Sequence, residues 1–423
     1  MNRWKISLGK AAAAVFFAAI SIASGAQPVS GNEAFLTKRA QLAARLNTVL
    51  DSAVQQQRIV GGVVLVSQGG QLLYRQAVGQ ADRESRRLMQ PGTVFRLASM
   101  SKPIVTMAAM RLVELGRLDL DAPVTRYLPD FRPPLPGPDG QISYPAISVR
   151  QLLTHTSGLG YGFAEGAEGA YARLGVSDGL DASSISLADN LHRLAQAPLY
   201  FAPGAQWRYS LGIDVLGSVL EKVEHAPLPE VVDRLVTRPL GMQHTGFVAS
   251  RGDSLAIPYA DGPLHPVRMT ENMAVPLPPG LGAAVRFSPA RAFDRQAFPS
   301  GGGGMLGNAD DYWKLLESIR TGKGVLQAST VATMLKDQVG PQARTQGPGW
   351  GFGYGWGVLV DPKPTRTPQS PGTVQWGGAY GHNWFVDPAR QLSVILLTNT
   401  AFEGMSGRLV TEVRDAVYGA LEE

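Results

Sequence analysis

Residues 99–102 read Ser99-Met100-Ser101-Lys102, and a mostly apolar run, 103–113, follows at once. The pattern predicts a helix that begins near Ser99 and stops near Gly116. Pro103 falls in its first turn, where a missing N–H costs little. On such a helix Ser99 and Lys102 stand at i and i+3 and share a face. An amine beside a hydroxyl at the mouth of a buried helix is one way to make a serine nucleophilic without histidine. The tetrad by itself is common in long chains, so its weight comes from what surrounds it.

Upstream of the tetrad, 33–57 has helical periodicity. Residues 62–67, Gly-Val-Val-Leu-Val-Ser, read as a buried strand, and 72–78 as a second strand across the turn Gln68-Gly69-Gly70-Gln71. That is a hairpin signal, so the sheet is at least partly antiparallel. Strands return near the C-terminus at 355–360, 374–376, 383–386 and 392–397, with an amphipathic helix at 407–421. Between them, 186–195, 211–224 and 230–236 look helical, two Pro/Gly-rich stretches (129–138 and 276–289) are irregular, and strand signals are scarce. Strands at both ends imply that the termini pair into one sheet. The expected fold is α+β: a central antiparallel sheet flanked by helices, built from 27–120 and 290–423, with a mainly helical lobe inserted at 121–289. A cleft between the lobes is where a ligand would bind.

Composition narrows the function classes. A chain of 423 residues with 44% hydrophobic content can bury a full core. Residues 1–26 read as a secretion signal: Arg3, Lys5 and Lys10, then the short apolar stretch 11–23, then the small residues Ser24-Gly25-Ala26 before Gln27. The expectation is a periplasmic or secreted protein with no stable membrane anchor after cleavage. With no cysteine, neither a disulfide nor lipidation at a leader cysteine is possible. The formal charge of +5 includes the three leader cations, and no Lys/Arg cluster is interleaved with aromatics, so nucleic acid is not an expected partner. The six histidines stand at no metal-ligand spacing. No metal or other cofactor is implied.

Five segments, in order, carry a resemblance. They are the tetrad at 99–102; Leu152-Leu153-Thr154-His155-Thr156-Ser157-Gly158-Leu159; Tyr209-Ser210-Leu211-Gly212; 301–306; and Trp376-Gly377-Gly378-Ala379-Tyr380-Gly381-His382. Together they resemble the serine β-lactamase/penicillin-binding-protein superfamily, with its β-lactamase/transpeptidase-like fold. Within it they look most like the class C β-lactamase-like carboxylesterases, family VIII. The resemblance covers nearly the whole chain after the leader.

It implies an acyl-enzyme on Ser99. Lys102 would be base or electrostatic activator, and Tyr209 would relay a proton to the leaving group. The backbone N–H groups of Ser99 and Ala379 would form the oxyanion hole. Trp376-Gly377-Gly378 stands where lactamases and DD-peptidases carry Lys-Thr-Gly. The two glycines still let a strand approach substrate closely. Trp376 cannot bind the carboxylate of a β-lactam or a D-Ala-D-Ala peptide, and an apolar ring suits neutral acyl or alcohol groups. Leu211 stands where asparagine is usual. His382 is placed with these substrate-binding residues as one that could line the cleft, a structural role being its other reading, and His155 is expected to buttress the cleft. The expected substrate is a small-molecule ester or amide. Two other readings stay open: β-lactamase, D-Ala-D-Ala carboxypeptidase or D-amino-acid amidase chemistry on the same scaffold, and a non-catalytic binder of cell-wall fragments. Gly175-Val176-Ser177-Asp178-Gly179 matches a nucleophile elbow, but lacks the strand before it and the helix after it that the motif needs. Arg251-Gly252-Asp253 has no support as an adhesion signal.

Overall fold

The computed structural model describes residues 1–2, 31–340, 343 and 345–421. The secretion signal expected at 1–26 falls, beyond its first two residues, outside the described residues. Among these residues no helix is long and apolar enough to cross a membrane.

The apolar run after residue 60 becomes β1 (Gly61–Gln68) and turns through Gly69 and Gly70, both at positive φ, into β2 (Gln71–Asp82), which pairs with the short β3 (Arg87–Leu88). The C-terminal strands are β4 (Trp350–Phe352), β5 (Gly357–Leu359), β6 (Val374–Gly378), β7 (His382–Asp387) and β8 (Leu392–Thr398). All eight form one antiparallel sheet in the order β4-β5-β6-β7-β8-β1-β2-β3. The two ends of the chain meet in its middle, where β1 pairs with β8 from Gly62↔Thr398 to Gln68↔Leu392.

Side chains on β1 alternate between two cores, because successive Cβ atoms point to opposite faces. Val64 and Val66 pack with Leu42, Leu46 and Leu50 of α1 (Gly31–Gln55) and with Val413 and Val417 of a C-terminal helix, Arg408–Leu421. Val63 and Leu65 face the larger core, with Ile104, Met107 and Ala108 of α2 (Ser101–Glu114). Covered on both sides, β1 has no solvent face, which is why it reads as an unbroken apolar run. Each such side chain contributes roughly 1.5–3 kcal/mol of burial.

The expected helix boundary moves by two residues. Ala98–Met100 is a 3-10 turn and α2 starts at Ser101. Ala98 is held at φ +46° and is fully buried. At the far end Gly116 closes the helix in the left-handed conformation; its N–H donates to the Val113 carbonyl and that of Arg117 to the Leu112 carbonyl.

The helical signals of the middle segment appear as Leu187–Leu194, capped by Ser186, as α3 (Gly212–Glu224), and as Leu228–Val232 running into a π turn at Asp233–Thr237. The scarcity of strands there is only partly realised. The Pro/Gly-rich stretches carry two-stranded hairpins, Leu135–Pro136 with Ile142–Ser143 and Met273–Pro276 with Ala284–Phe287. Strand β4 is also unheralded. Gly351 within it stands against the Asp337 carboxylate, and Gly353 just past its end against the Met334 carbonyl, leaving no room for a Cβ and interrupting the apolar alternation.

Candidate active site

Three segments distant in sequence meet at Ser99. The 3-10 turn brings it, half-buried, to the surface of the core. One helical turn on, the Lys102 side chain is fully buried. Tyr209 precedes α3 and leans in from the helical segment. Its hydroxyl donates to Ser99 Oγ at 2.7 Å, and Lys102 Nζ stands 3.4 Å from the same oxygen. Lys102 Nζ also donates to the Gly302 carbonyl at 2.7 Å and lies 4.5 Å from the centre of the Tyr209 ring. An amine and a phenol therefore flank one alcohol, as the sequence reading required. The second serine of the tetrad does different work: Ser101 Oγ donates to the Ala98 carbonyl at 2.7 Å and accepts the Met305 N–H at 3.0 Å, tying the turn down.

Strand β6 forms the opposite wall. At Gly378 a Cβ would clash with the Leu97 carbonyl oxygen, so β6 passes the Ser99 turn at a distance only glycine permits. At Gly377 a Cβ would stand 2.7 Å from the His382 carbonyl oxygen. Ala379, next along, is thereby carried to the Ser99 turn. Trp376 is partly exposed; its ring lies 5.4 Å from that of Tyr209 and 5.4 Å from that of Phe352. Phe352 in turn packs against Trp207 at 5.5 Å. On the other side of Tyr209, Tyr161 lies at 5.1 Å and stacks on Phe163 at 4.6 Å. Tyr209 thus sits within a continuous aromatic band from Trp207 to Phe163.

His382 corrects an expectation. It does not open on the cleft but is fully buried, with Nε2 bonded to the Arg96 carbonyl at 2.8 Å and its ring edge-on to Phe95. Burial lowers its pKa to about 4, so the ring is neutral. His155, expected as a buttress, is also fully buried. Its Nδ1 pairs with Ser210 Oγ at 3.0 Å, beside the Tyr209 ring at 4.9 Å. Burial, helped by the nearby Lys102 charge, pushes its pKa well below the ordinary value.

The nucleophile-elbow match is a buried structural turn. Ser177 follows a helix, Ala170–Leu174, and its hydroxyl donates to Asp181. Asp178 accepts the N–H groups of Gly162 and Phe163, each at 2.8 Å, and burial raises its carboxyl to about 7. Among the described residues no group of acids and histidines could hold a metal ion.

Sequence reasoning missed several residues around Ser99: Tyr161, Asp214, Ser300 and the aromatic partners Phe352 and Trp207. One carried a signal: Asp214 is the one charge in the apolar stretch 211–216. Gly302 lies within the segment 301–306 that the sequence had singled out. The aromatics carried none, because an aromatic residue reads the same in a core and in a cleft.

A family model described as Beta-lactamase matches residues 46–418. The chain is 55% identical over 385 residues to Esterase EstB of Burkholderia gladioli, covering 91% of this chain and 97% of that protein. The solved structure of EstCE1, described as a hydrolase with promiscuous acyltransferase activity, superposes with a TM-score of 0.88 at 50% identity, covering 90% of this chain and 99% of that one. A class C beta-lactamase shares the fold at a TM-score of 0.66 and 17% identity, covering 91% and 98%. With its convergent Ser99, Lys102 and Tyr209 and a match along most of its length, this chain belongs to the beta-lactamase family.

Proposed function

We propose that the chain is a serine carboxylesterase acting on small, neutral esters. The observation that carries this is the placing of the Tyr209 hydroxyl and the Lys102 amine on the single Ser99 oxygen, at 2.7 and 3.4 Å. Ser99 Oγ attacks the ester carbonyl carbon, and its proton passes into the Tyr209–Lys102 pair. The backbone N–H groups of Ser99 and Ala379 hold the oxyanion. The bond to the alkoxy oxygen breaks as Tyr209 returns the proton to the departing alcohol. Water then repeats the cycle on the acyl-enzyme, releasing the acid and free Ser99. The relationship to Esterase EstB supports the reading. So does Trp376, a partly exposed ring packed on Tyr209 where lactamases carry a lysine. The description of EstCE1 favours a second outcome of the same intermediate, in which an alcohol replaces water as acceptor.

The test is Ser99→Ala. Hydrolysis of p-nitrophenyl butyrate is expected to vanish with the circular dichroism spectrum unchanged, and a fluorophosphonate probe is expected to label the wild type at Ser99 alone. Substantial turnover by purified variant, or labelling elsewhere, would refute the assignment. Fast nitrocefin turnover with poor ester hydrolysis would favour the lactamase alternative, which Trp376 and Leu211 disfavour. Export is part of the proposal, supported by the charged and apolar pattern of 1–26. The mature protein is expected to begin at Gln27 when its N-terminus is sequenced.

A further inference from the structure

Lys102 is fully buried, yet among the described residues no carboxylate pairs with it directly; its polar partners are Ser99 Oγ and the Gly302 carbonyl. A buried ammonium needs a counter-charge. One lies directly behind that carbonyl. Asp214, on the first turn of α3, is 1% exposed. Its Oδ1 accepts the Ser300 hydroxyl at 2.6 Å, Ser300 Oγ accepts the Gly303 N–H at 3.1 Å, and the Gly304 N–H donates to the Ser300 carbonyl at 2.8 Å. The other oxygen, Oδ2, is buried with no hydrogen-bond partner among the described residues. It presses on the Gly302 Cα: a Cβ there would clash with it and stand 2.9 Å from the Tyr161 hydroxyl. The carboxylate thus grips the very turn whose carbonyl Lys102 uses.

We propose that Asp214 is a positioning residue for the Ser99 reaction. Through Ser300 it holds the 300–304 turn so that the Gly302 carbonyl meets Lys102, and its carboxylate is the buried counter-charge of the Lys102 ammonium. This rests on Ser99 being the nucleophile. The other ionisable groups facing the pair are Tyr209, Tyr161 and His155 around Lys102, and Tyr161, Asp178 and Arg291 around Asp214. Burial raises the Asp214 carboxyl above its ordinary range, the Ser300 hydroxyl and the Lys102 charge offsetting part of that rise. Asp178 is occupied by two backbone N–H groups, so it does not compete for Lys102; Arg291 donates to the Asp181 and Phe298 carbonyls rather than to Asp214.

Asp214→Asn keeps the size and the Ser300 acceptor and removes only the charge. Its kcat/KM on p-nitrophenyl butyrate is expected to fall roughly tenfold or more, through kcat rather than KM. Ser300→Ala keeps the charge and frees the turn, so kcat should fall while KM stays within a few-fold. An Asp214→Asn enzyme with wild-type kcat, or one whose loss lies in KM alone, would overturn the proposal. If that variant does not fold, Ser300→Ala decides: an unchanged kcat would overturn it equally. Failure of wild-type Ser99 to take the fluorophosphonate label sinks the esterase reading instead, so the two failures are distinguishable.

Discussion

At Ser99 three weak inputs combine. A serine hydroxyl is inert at neutral pH, and an amine 3.4 Å away or a phenol 2.7 Å away does little without the other. Tyr209 is the contributor whose loss is most easily read, because Phe keeps the ring that packs on Trp376 and on Lys102. Tyr209→Phe is expected to lower kcat on p-nitrophenyl butyrate by about 10²–10⁴-fold with KM within a few-fold and an unchanged melting temperature. Steady-state kinetics check this, and a variant within threefold of wild type would remove Tyr209 from the proton path. The tetrad, Tyr209 and Trp376 were all legible in sequence, because each sits in a short local pattern. Asp214 and Tyr161 were not assigned, because their significance lies in touching Gly302, about ninety and a hundred and forty positions away along the chain, and no local pattern encodes such contacts.

At the scale of elements, the site depends on β6 passing the Ser99 turn closely. Gly378→Ala places a methyl against the Leu97 carbonyl, which backbone cannot yield without moving the turn. Labelling of Ser99 by a fluorophosphonate should slow by roughly a hundredfold or more, since displacements near 1 Å cost that much, and the thermal midpoint should drop by several degrees. Retention of both would show that the strand and the turn are not coupled. The sequence marked this approach through Trp376-Gly377-Gly378, and it marked β1, β2, β5, β6, β7 and β8 as strands. It missed β4, because Gly351 within it answers to the Asp337 side chain and Gly353 just past its end to the Met334 backbone rather than to any strand preference. It also set the active-site helix two residues early. Periodicity alone does not separate a 3-10 turn from a first helical turn, and only the packing that holds Ala98 at positive φ does.

The whole molecule carries a pH response in its buried histidines. His382 has a native pKa of about 4 against about 6.5 when unfolded. Between those values the unfolded chain binds a proton that the native chain does not. This contribution is therefore fully present above about pH 6.5 and is lost as pH falls toward 4, amounting to about 3 kcal/mol. His382→Asn removes it. The difference in unfolding free energy between wild type and variant should shift in the variant's favour by that amount between pH 7 and pH 4, as read by urea denaturation. A difference independent of pH would mean that His382 takes up its proton equally in the folded and unfolded chain. Asp178, with its carboxyl raised to about 7, works in the opposite direction over an overlapping window. The histidine contribution is therefore visible only as a difference between variants.

Sequence alone pointed to one antiparallel sheet shared by the termini, to helices between its two halves, and to a serine, an amine and a phenol as the candidate site. Each of these is written in local periodicity or in a short motif. Tertiary structure alone decided that His382 is a buried neutral strut rather than a cleft residue, and that an aromatic band packs around Tyr209. It also decided that Asp214 stands behind the Lys102 partner. The physical reason is that burial and through-space charge belong to the packed whole: a ring or a carboxylate acquires its role from neighbours that the chain brings together only when it closes.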